Sequence, residues 1–204
     1  MYILSFIQDP WNVFFFLASV VIAVTVHEFA HAWSADRLGD PTARLLGRKS
    51  LNPAKHLDPW GSLLFLVVGF GWGKPVPVDS FNLRDEGKDN ALIALAGPAS
   101  NILLASIAGV LNQILPTNDP HVAFALFQFA SINVYLALFN LLPIPPLDGS
   151  KLYRAILPDS FMPVWRFLDQ YGFMILLLII LSGANIFSGF LGPISIIILE
   201  ALGF

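Results

Sequence analysis

The chain has 204 residues, of which 56% are hydrophobic and only 12% are charged, and its formal net charge at pH 7 is −3. A soluble domain carries about 25% charged residues, so this composition indicates a single membrane-embedded domain, residues 1–204, with the lipid bilayer as its surroundings and no nucleic acid among its partners. The absence of cysteine excludes disulfides and thiolate metal sites.

Four apolar stretches approach the roughly 20 residues that a helix needs to cross a bilayer. They cover about residues 11–35, 90–115 and 121–142, and the last begins near Tyr171. We expect the first to be a retained helix rather than a signal peptide, because no Lys or Arg precedes Arg37 and the stretch is too long. The interruption SGANIFSG, residues 182–189, predicts either a turn between two short spans or a kink in one span.

A fifth apolar run, WGSLLFLVVGFGWG (residues 60–73), is too short to span and rich in glycine. A membrane tolerates such a backbone only where protein or water covers it, so we expect a re-entrant or interfacial element. The sequence therefore predicts an all-α polytopic membrane protein of four to six transmembrane segments with a re-entrant, β-like membrane-associated loop.

The distribution of positive charge predicts the orientation. All eleven Lys and Arg residues lie in two segments, residues 37–88 and 151–166, which the intervening helices place on one side of the membrane. The positive-inside rule makes that side the cytoplasm, and we expect the membrane to be the cell membrane.

The first span contains the sequence HEFAH, residues 27–31. His27 and His31 lie four residues apart, so on a helix they share one face and can bind one metal ion. Glu28 points about a third of a turn away, where it could take a proton from a metal-bound water as a general base. Ionisable side chains inside a span are costly and usually functional, which favours a metal site over chance. About 24 Å of helix precedes His27, which puts this site toward the cytoplasmic side.

A catalytic zinc site usually has three protein ligands, and the third must come from elsewhere in the chain. His56 lies in a polar loop, where a structural role is the stronger interpretation, and His121 is expected at the outer end of the third span. Asp148 follows NLLPIPP at the cytoplasmic end of that span, where the prolines break the helix and Gly149 allows a turn. From the residues alone, Asp148 could equally well cap a helix that begins near Ser150.

HEFAH on one membrane helix and NLLPIPPLDG after a later one resemble the site-2 protease family of intramembrane zinc metalloproteases. GPASN (residues 97–101) and GWGKPVPVD (residues 71–79) are also similar to segments of that family and occur in the same order. The resemblance implies one Zn²⁺ per chain, bound by His27, His31 and Asp148, with Glu28 as the catalytic base. It also implies that the substrates are transmembrane proteins, cleaved within or near the bilayer. The chain resembles a minimal form of the family without a PDZ or CBS domain.

Two asparagines are candidates for supporting roles. Asn101 could stabilise an oxyanion or a substrate carbonyl through its amide, or form interhelical hydrogen bonds where Gly97 and Ala99 allow close packing. For Asn140 we favour support of Asp148 through a hydrogen bond.

The segment KPVPVD, residues 74–79, predicts one edge that can pair with a strand. Residues two apart in an extended strand point their N–H groups to the same edge. Pro75 and Pro77 remove donors from one edge, whereas Val76 and Val78 keep theirs on the other, which could hold an unwound substrate as an added strand. A plain turn that blocks aggregation is the alternative.

The competing class of function is a metal-binding membrane protein without protease activity, either a transporter or an inactive homologue. A transporter should line a path with polar groups through the whole membrane, but the outer halves of these spans are nearly all aliphatic or aromatic. An inactive homologue would be expected to lose Glu28, which this chain retains.

Overall fold

The computed structural model describes residues 10–68, 71–115, 119–181 and 186–204. We number the α-helices of these residues in chain order as α1 to α8: Pro10–Leu38, Thr42–Leu45, Pro59–Val68, Glu86–Ile114, Pro120–Asn140, Asp148–Ile156, Met162–Leu181 and Ile186–Ala201. Short 3-10 turns lie at Pro53–Lys55, Ser80–Asn82 and Asp159–Phe161. Within the described residues the only β-type pairing is an isolated antiparallel bridge between Leu57 and Gly73.

Four helical segments are long and apolar enough to cross a membrane: Pro10–Leu38, Glu86–Ile114, Pro120–Asn140 and Asp159–Leu181. The predicted all-α polytopic membrane fold is therefore confirmed. Helices α1, α4 and α5 agree with the first three predicted spans to within four residues at each end.

The last span begins earlier than the sequence predicted. We expected it near Tyr171, but α7 begins at Met162. Arg154 contacts the first turns of α7: its guanidinium donates to Asp169 at 2.6 Å and lies over the ring of Trp165, and a hydropathy profile reports neither contact. The predicted turn or kink at residues 182–189 falls partly outside the described residues, and α8 begins at Ile186.

Helix α4 is the centre of the bundle and packs against α1, α5 and α6. Most of its buried positions are small residues on one side of the helix, among them Ala91, Ala94, Gly97, Pro98, Ala105 and Ala108. Small residues allow the backbones of membrane helices to approach closely, which strengthens packing in the absence of a hydrophobic driving force. The same pattern continues in α1 with Ala23 and Ala35, and in α5 with Ala130 and Ala137.

The C-terminal residues pack beside the end of α4. The side-chain amides of Asn112 and Gln113 donate to the carbonyl oxygens of Gly203 and Leu202, at 3.1 and 3.2 Å. Leu199 completes a buried apolar cluster with residues of α4 and α5: Ala105, Ala108, Ala130 and Val134. Helix α8 therefore ends at the same end of the bundle as α4.

The predicted re-entrant loop consists of the ten-residue helix α3 followed by an extended segment. Asp58 caps α3 by accepting a hydrogen bond from the N–H of Gly61 at 2.8 Å. After α3 the chain returns to the preceding loop, where the N–H of Lys74 donates to the carbonyl of His56 at 2.7 Å.

Two buried charged residues hold the extended segment, residues 74–79, against the end of α1. Arg48 donates to the carbonyl oxygens of Lys74 and Pro75, at 2.5 and 3.1 Å. Asp40, which has no exposed surface, accepts a hydrogen bond from the N–H of Asp79 at 2.8 Å. These contacts fix Pro75 and Asp79 on the proline edge, and they fix Lys74 on the other edge, which also carries the N–H groups of Val76 and Val78.

Candidate metal centre

His27 and His31 lie one turn apart on α1 and face α4, with only 5% and 7% of their surfaces exposed. Gly97 of α4 makes this approach possible. A Cβ atom at residue 97 would lie 2.5 Å from Nε2 of His31 and 2.6 Å from Cε1 of His27, which is too close for any side chain.

Hydrogen bonds at Nδ1 fix the orientation of both rings. Nδ1 of His31 donates to the carbonyl oxygen of Ile93 at 2.7 Å, and Nδ1 of His27 lies 2.6 Å from Oδ1 of Asn101. An oxygen of a carbonyl or carboxamide can only accept, so each Nδ1 carries the proton. In the neutral imidazole Nε2 then has a free lone pair, which is the form of histidine that binds a metal.

Asp148 is brought to the histidines by the turn that follows α5. It is the first residue of α6, where it does not act as a helix cap, and the helix begins two residues earlier than Ser150. Residue 149 must be glycine for steric reasons, because a Cβ atom there would collide with the carbonyl oxygens of Leu141 and Leu142.

Three ligand atoms meet at one point. Nε2 of His27 lies 3.0 Å from Nε2 of His31, and these atoms lie 3.1 and 3.2 Å from Oδ2 of Asp148. Zinc binds nitrogen and oxygen ligands at about 2.0–2.1 Å in a tetrahedron, whose edges are then about 3.3 Å long. Two neutral imidazoles and a carboxylate at these separations fit a zinc ion, and within the described residues this is the group that could hold one.

Glu28 faces the extended segment rather than the three ligand atoms. Its Oε2 accepts a hydrogen bond from the N–H of Val76 at 3.1 Å. One of the two donors on the predicted substrate edge is therefore used by the proposed base. The N–H of Val78 makes no hydrogen bond within the part of the chain that the structure describes.

The two predicted supporting asparagines are placed differently. Asn101 is fully buried beside His27, and its amide nitrogen donates to the carbonyl of Ala23 and to Oδ1 of Asn133, at 3.2 and 2.9 Å. Both of its N–H groups are engaged, so neither is available to a substrate carbonyl, and its oxygen contacts His27. Asn140 donates to the carbonyl of Leu136 in its own helix at 3.0 Å, and makes no hydrogen bond with Asp148 among the described residues.

The two remaining histidines have structural surroundings. His56 is fully buried, and its Nε2 donates to the carbonyl oxygen of Ser50 at 2.6 Å. His121 lies in the first turn of α5, next to Asp119, which caps that helix. Sequence reasoning missed Asn133, although an amide in the middle of an apolar span was a signal that could have found it.

Membrane-length helices around a buried pair of histidines and an aspartate define a polytopic membrane protein with a metallopeptidase-type centre. The chain belongs to peptidase family M50, whose profile matches residues 15–118 and 112–183. This confirms the resemblance to the site-2 proteases.

Named relatives match over most of the chain. A protein of Bacillus subtilis (strain 168) named "Putative zinc metalloprotease YwhC" is 38% identical over 176 residues, which cover 82% of this chain and 80% of that protein. A protein of Mycolicibacterium smegmatis named "Putative zinc metalloprotease Rip2" is 31% identical over 179 residues, 82% of this chain and 67% of that protein. No solved structure matches the chain significantly.

Proposed function

We propose that the chain is an intramembrane zinc endopeptidase that hydrolyses peptide bonds in or near transmembrane segments of other membrane proteins. His27, His31 and Asp148 would hold one Zn²⁺ per chain, and Glu28 would be the general base. The observation that carries the proposal is the convergence of two Nε2 lone pairs and a carboxylate oxygen, 3.0–3.2 Å apart, inside a membrane-length helix bundle.

The chain's own residues supply most of the machinery. Bound zinc would polarise the scissile carbonyl and make the attacking water more acidic. Glu28, on the helix that carries both histidines, would take the proton from that water and later deliver it to the leaving amine. Asn101 would hold His27 in its metal-binding orientation. Asn140, which was expected to support Asp148, bonds to Leu136 instead, and the second N–H of its amide would be available to a substrate carbonyl.

The position of the centre supports cleavage on the cytoplasmic side of the cell membrane. The loops beside it hold the basic residues that the positive-inside rule assigns to the cytoplasm. Beyond it, toward the ends of α4 and α8, the interior is an apolar cluster that includes Ala105, Ala108 and Leu199. A transporter would need a polar path there, so hydrolysis is favoured over transport.

The extended segment would receive the substrate. A helical substrate must be unwound before its peptide bonds are accessible, and the edge with the N–H of Val78 offers a partner for an extended chain. The N–H of Val76 lies on the same edge and donates to Glu28, so a substrate strand here would lie next to the base.

Metal analysis and cleavage assays test the proposal together. The purified wild type should contain about one zinc per chain, and His27→Ala or Asp148→Ala should lose it, because two histidines and a carboxylate form the ligand set. Glu28→Gln should keep the zinc and abolish cleavage of a transmembrane substrate. A matched proteomic comparison of membrane-protein fragments in cells with the wild type and with Glu28→Gln would identify substrates. Equal fragment patterns from both would contradict the protease assignment.

A further inference from the structure

Asn133 of α5 touches neither histidine, yet it lies at the start of a chain of hydrogen bonds that ends on His27. It is fully buried, as is Asn101 of α4. The chain runs from Asn133 to Asn101 at 2.9 Å and from Asn101 to Nδ1 of His27 at 2.6 Å. We call these three residues the amide relay.

The direction of every bond in the amide relay is set by two backbone carbonyls. Nδ2 of Asn133 lies 2.9 Å from the carbonyl oxygen of Phe129, which can only accept, so this atom is the nitrogen and Oδ1 faces Asn101. Nδ2 of Asn101 must donate to that oxygen, and it also donates to the carbonyl oxygen of Ala23. Oδ1 of Asn101 therefore faces His27 and accepts its Nδ1 proton.

We propose that Asn133 is a positioning residue that, through Asn101, keeps His27 in the Nδ1–H tautomer and leaves its Nε2 lone pair free for the metal. This inference rests on the proposed metal centre. Without the acceptor at Asn133, one N–H of a fully buried amide is left without a partner, and a buried polar group without a partner is costly. The amide of Asn101 is then held by a single hydrogen bond, to the carbonyl of Ala23 at 3.2 Å, and it is less firmly oriented as an acceptor toward His27.

The other metal-binding histidine needs no such relay. Nδ1 of His31 donates directly to the backbone carbonyl of Ile93, which cannot turn around. His56 shows the opposite arrangement, because its Nε2 faces the carbonyl of Ser50 and must carry the proton. The chain thus contains an internal reference for each tautomer.

The first test measures zinc affinity of the full-length protein in detergent, with Asn101→Leu, Asn133→Leu and the double variant. Loss of a residue that orients a metal-binding histidine costs about 10–100-fold in affinity, so we expect that for Asn101→Leu and about tenfold for Asn133→Leu. Because Asn133 acts through Asn101, the double variant should bind zinc as tightly as Asn101→Leu alone. Asn133→Asp, which as a neutral buried acid still accepts from Asn101 and donates to Phe129, should stay close to the wild type.

Wild-type affinity for Asn133→Leu would overturn the inference, as would a double variant weakened by the product of the two single effects. A second measurement needs no substitution in the relay. Nitrogen-15 spectra of the zinc-free wild type, at a pH where the imidazoles are neutral, should show His27 and His31 as Nδ1–H and His56 as Nε2–H. An Nε2–H signal for His27 would also overturn it. Failure of the proposed function is distinguishable, because then the wild type itself would bind no zinc or Glu28→Gln would still cleave.

Discussion

Gly97 is the residue on which the approach of α4 to the metal centre depends. Alanine has the higher helix propensity by about 1 kcal/mol, so in an open position Gly→Ala should stabilise a helix. At residue 97 the added Cβ would lie 2.5 Å from Nε2 of His31, one of the three atoms that form the site. The requirement for glycine is therefore steric and local to the metal.

We expect Gly97→Ala to lose zinc and cleavage while remaining helical. The matched control is Gly87→Ala in the first turn of the same helix, where the nearest atom to an added Cβ is Oδ1 of Asp85 at 3.7 Å, an ordinary contact. Zinc content by atomic absorption should fall in the first variant and be unchanged in the second. A Gly97→Ala protein that still contains about one zinc per chain would contradict this, because α4 could then move away from the histidines without loss of the metal.

Asp40 should contribute strongly to stability through its carboxylate. Burial opposes its ionisation, but hydrogen bonds from Thr42, Asp79 and Asn82 outweigh this and lower the pKa of the carboxyl. A lowered pKa in the folded state means that the stabilisation is present above the unfolded-state pKa of about 4 and is lost as the pH falls through the folded-state value.

Asp40→Asn should therefore reduce the free energy of unfolding at neutral pH by about 2–3 kcal/mol, because an amide NH₂ replaces an acceptor among several donors. Unfolding in mixed micelles measures this, and the difference from the wild type should shrink as the pH falls below about 4. Asp159→Asn, at an exposed position, is the control and should have little effect. A pH-independent difference would assign the effect to packing rather than to charge.

For single residues, the sequence predicted correctly only those features that depend on the spacing of residues along the chain. The four-residue separation of His27 and His31 places them on one face of any helix, and that holds without knowledge of the fold. Asp148 meets the histidines of α1, and Asn133 meets Asn101 of α4, only because the helices fold back on one another, and no local pattern in the sequence gives either distance. Spacing alone therefore left two interpretations of Asp148, a metal ligand or a helix cap, and it did not identify Asn133.

At the scale of elements, the alternation of Pro and Val in the extended segment, residues 74–79, gives it one edge without N–H donors at the prolines and one edge with donors at the valines. Arg48 and Asp40 hold the edge of Pro75, Pro77 and Asp79 to the protein. The alternation of Pro and Val predicted which edge keeps its donors. It could not predict that Glu28 would use the donor of Val76, because that contact joins residues 48 positions apart.

Removing the donor of Val78 should reduce cleavage more than trimming its side chain. Val78→Pro deletes the N–H, whereas Val78→Ala keeps it and loses only apolar surface. A lost hydrogen bond to an extended substrate costs about 0.5–1.5 kcal/mol, or roughly threefold to tenfold in kcat/KM. Zinc content should be unchanged in both variants, since the segment supplies no ligand. If both variants cleave alike while retaining zinc, the N–H of Val78 does not bind the substrate.

For the whole molecule, the contacts of the C-terminus predict on which side of the membrane it lies. Leu202 and Gly203 lie beside Asn112 and Gln113, near the end of α4, so the C-terminus should be on the outer side. The chain has no cysteine, which gives a clean background for labelling. Single cysteines at Phe81 and Ile156 should react from the cytoplasm, whereas one at His121 and one added after Phe204 should react from outside. A C-terminal cysteine that reacts only from the cytoplasm would contradict the assignment.

The small residues at the centre of the bundle invert the usual pattern of mutational tolerance. The largest fully buried side chains among the described residues are His56, Val134, Asn101, Asn133, Asp40, Pro98 and Ser195, whereas many leucines, phenylalanines and tryptophans are exposed to the surroundings of the bundle. In a soluble domain the damaging substitutions are mainly those that shorten a buried side chain. Here each added methylene between α1, α4 and α5 would separate backbones that alanine and glycine hold together, and the metal centre lies between these same helices. A saturation scan should find enlargement of the interior harmful and exchange among large apolar residues on the outside nearly silent.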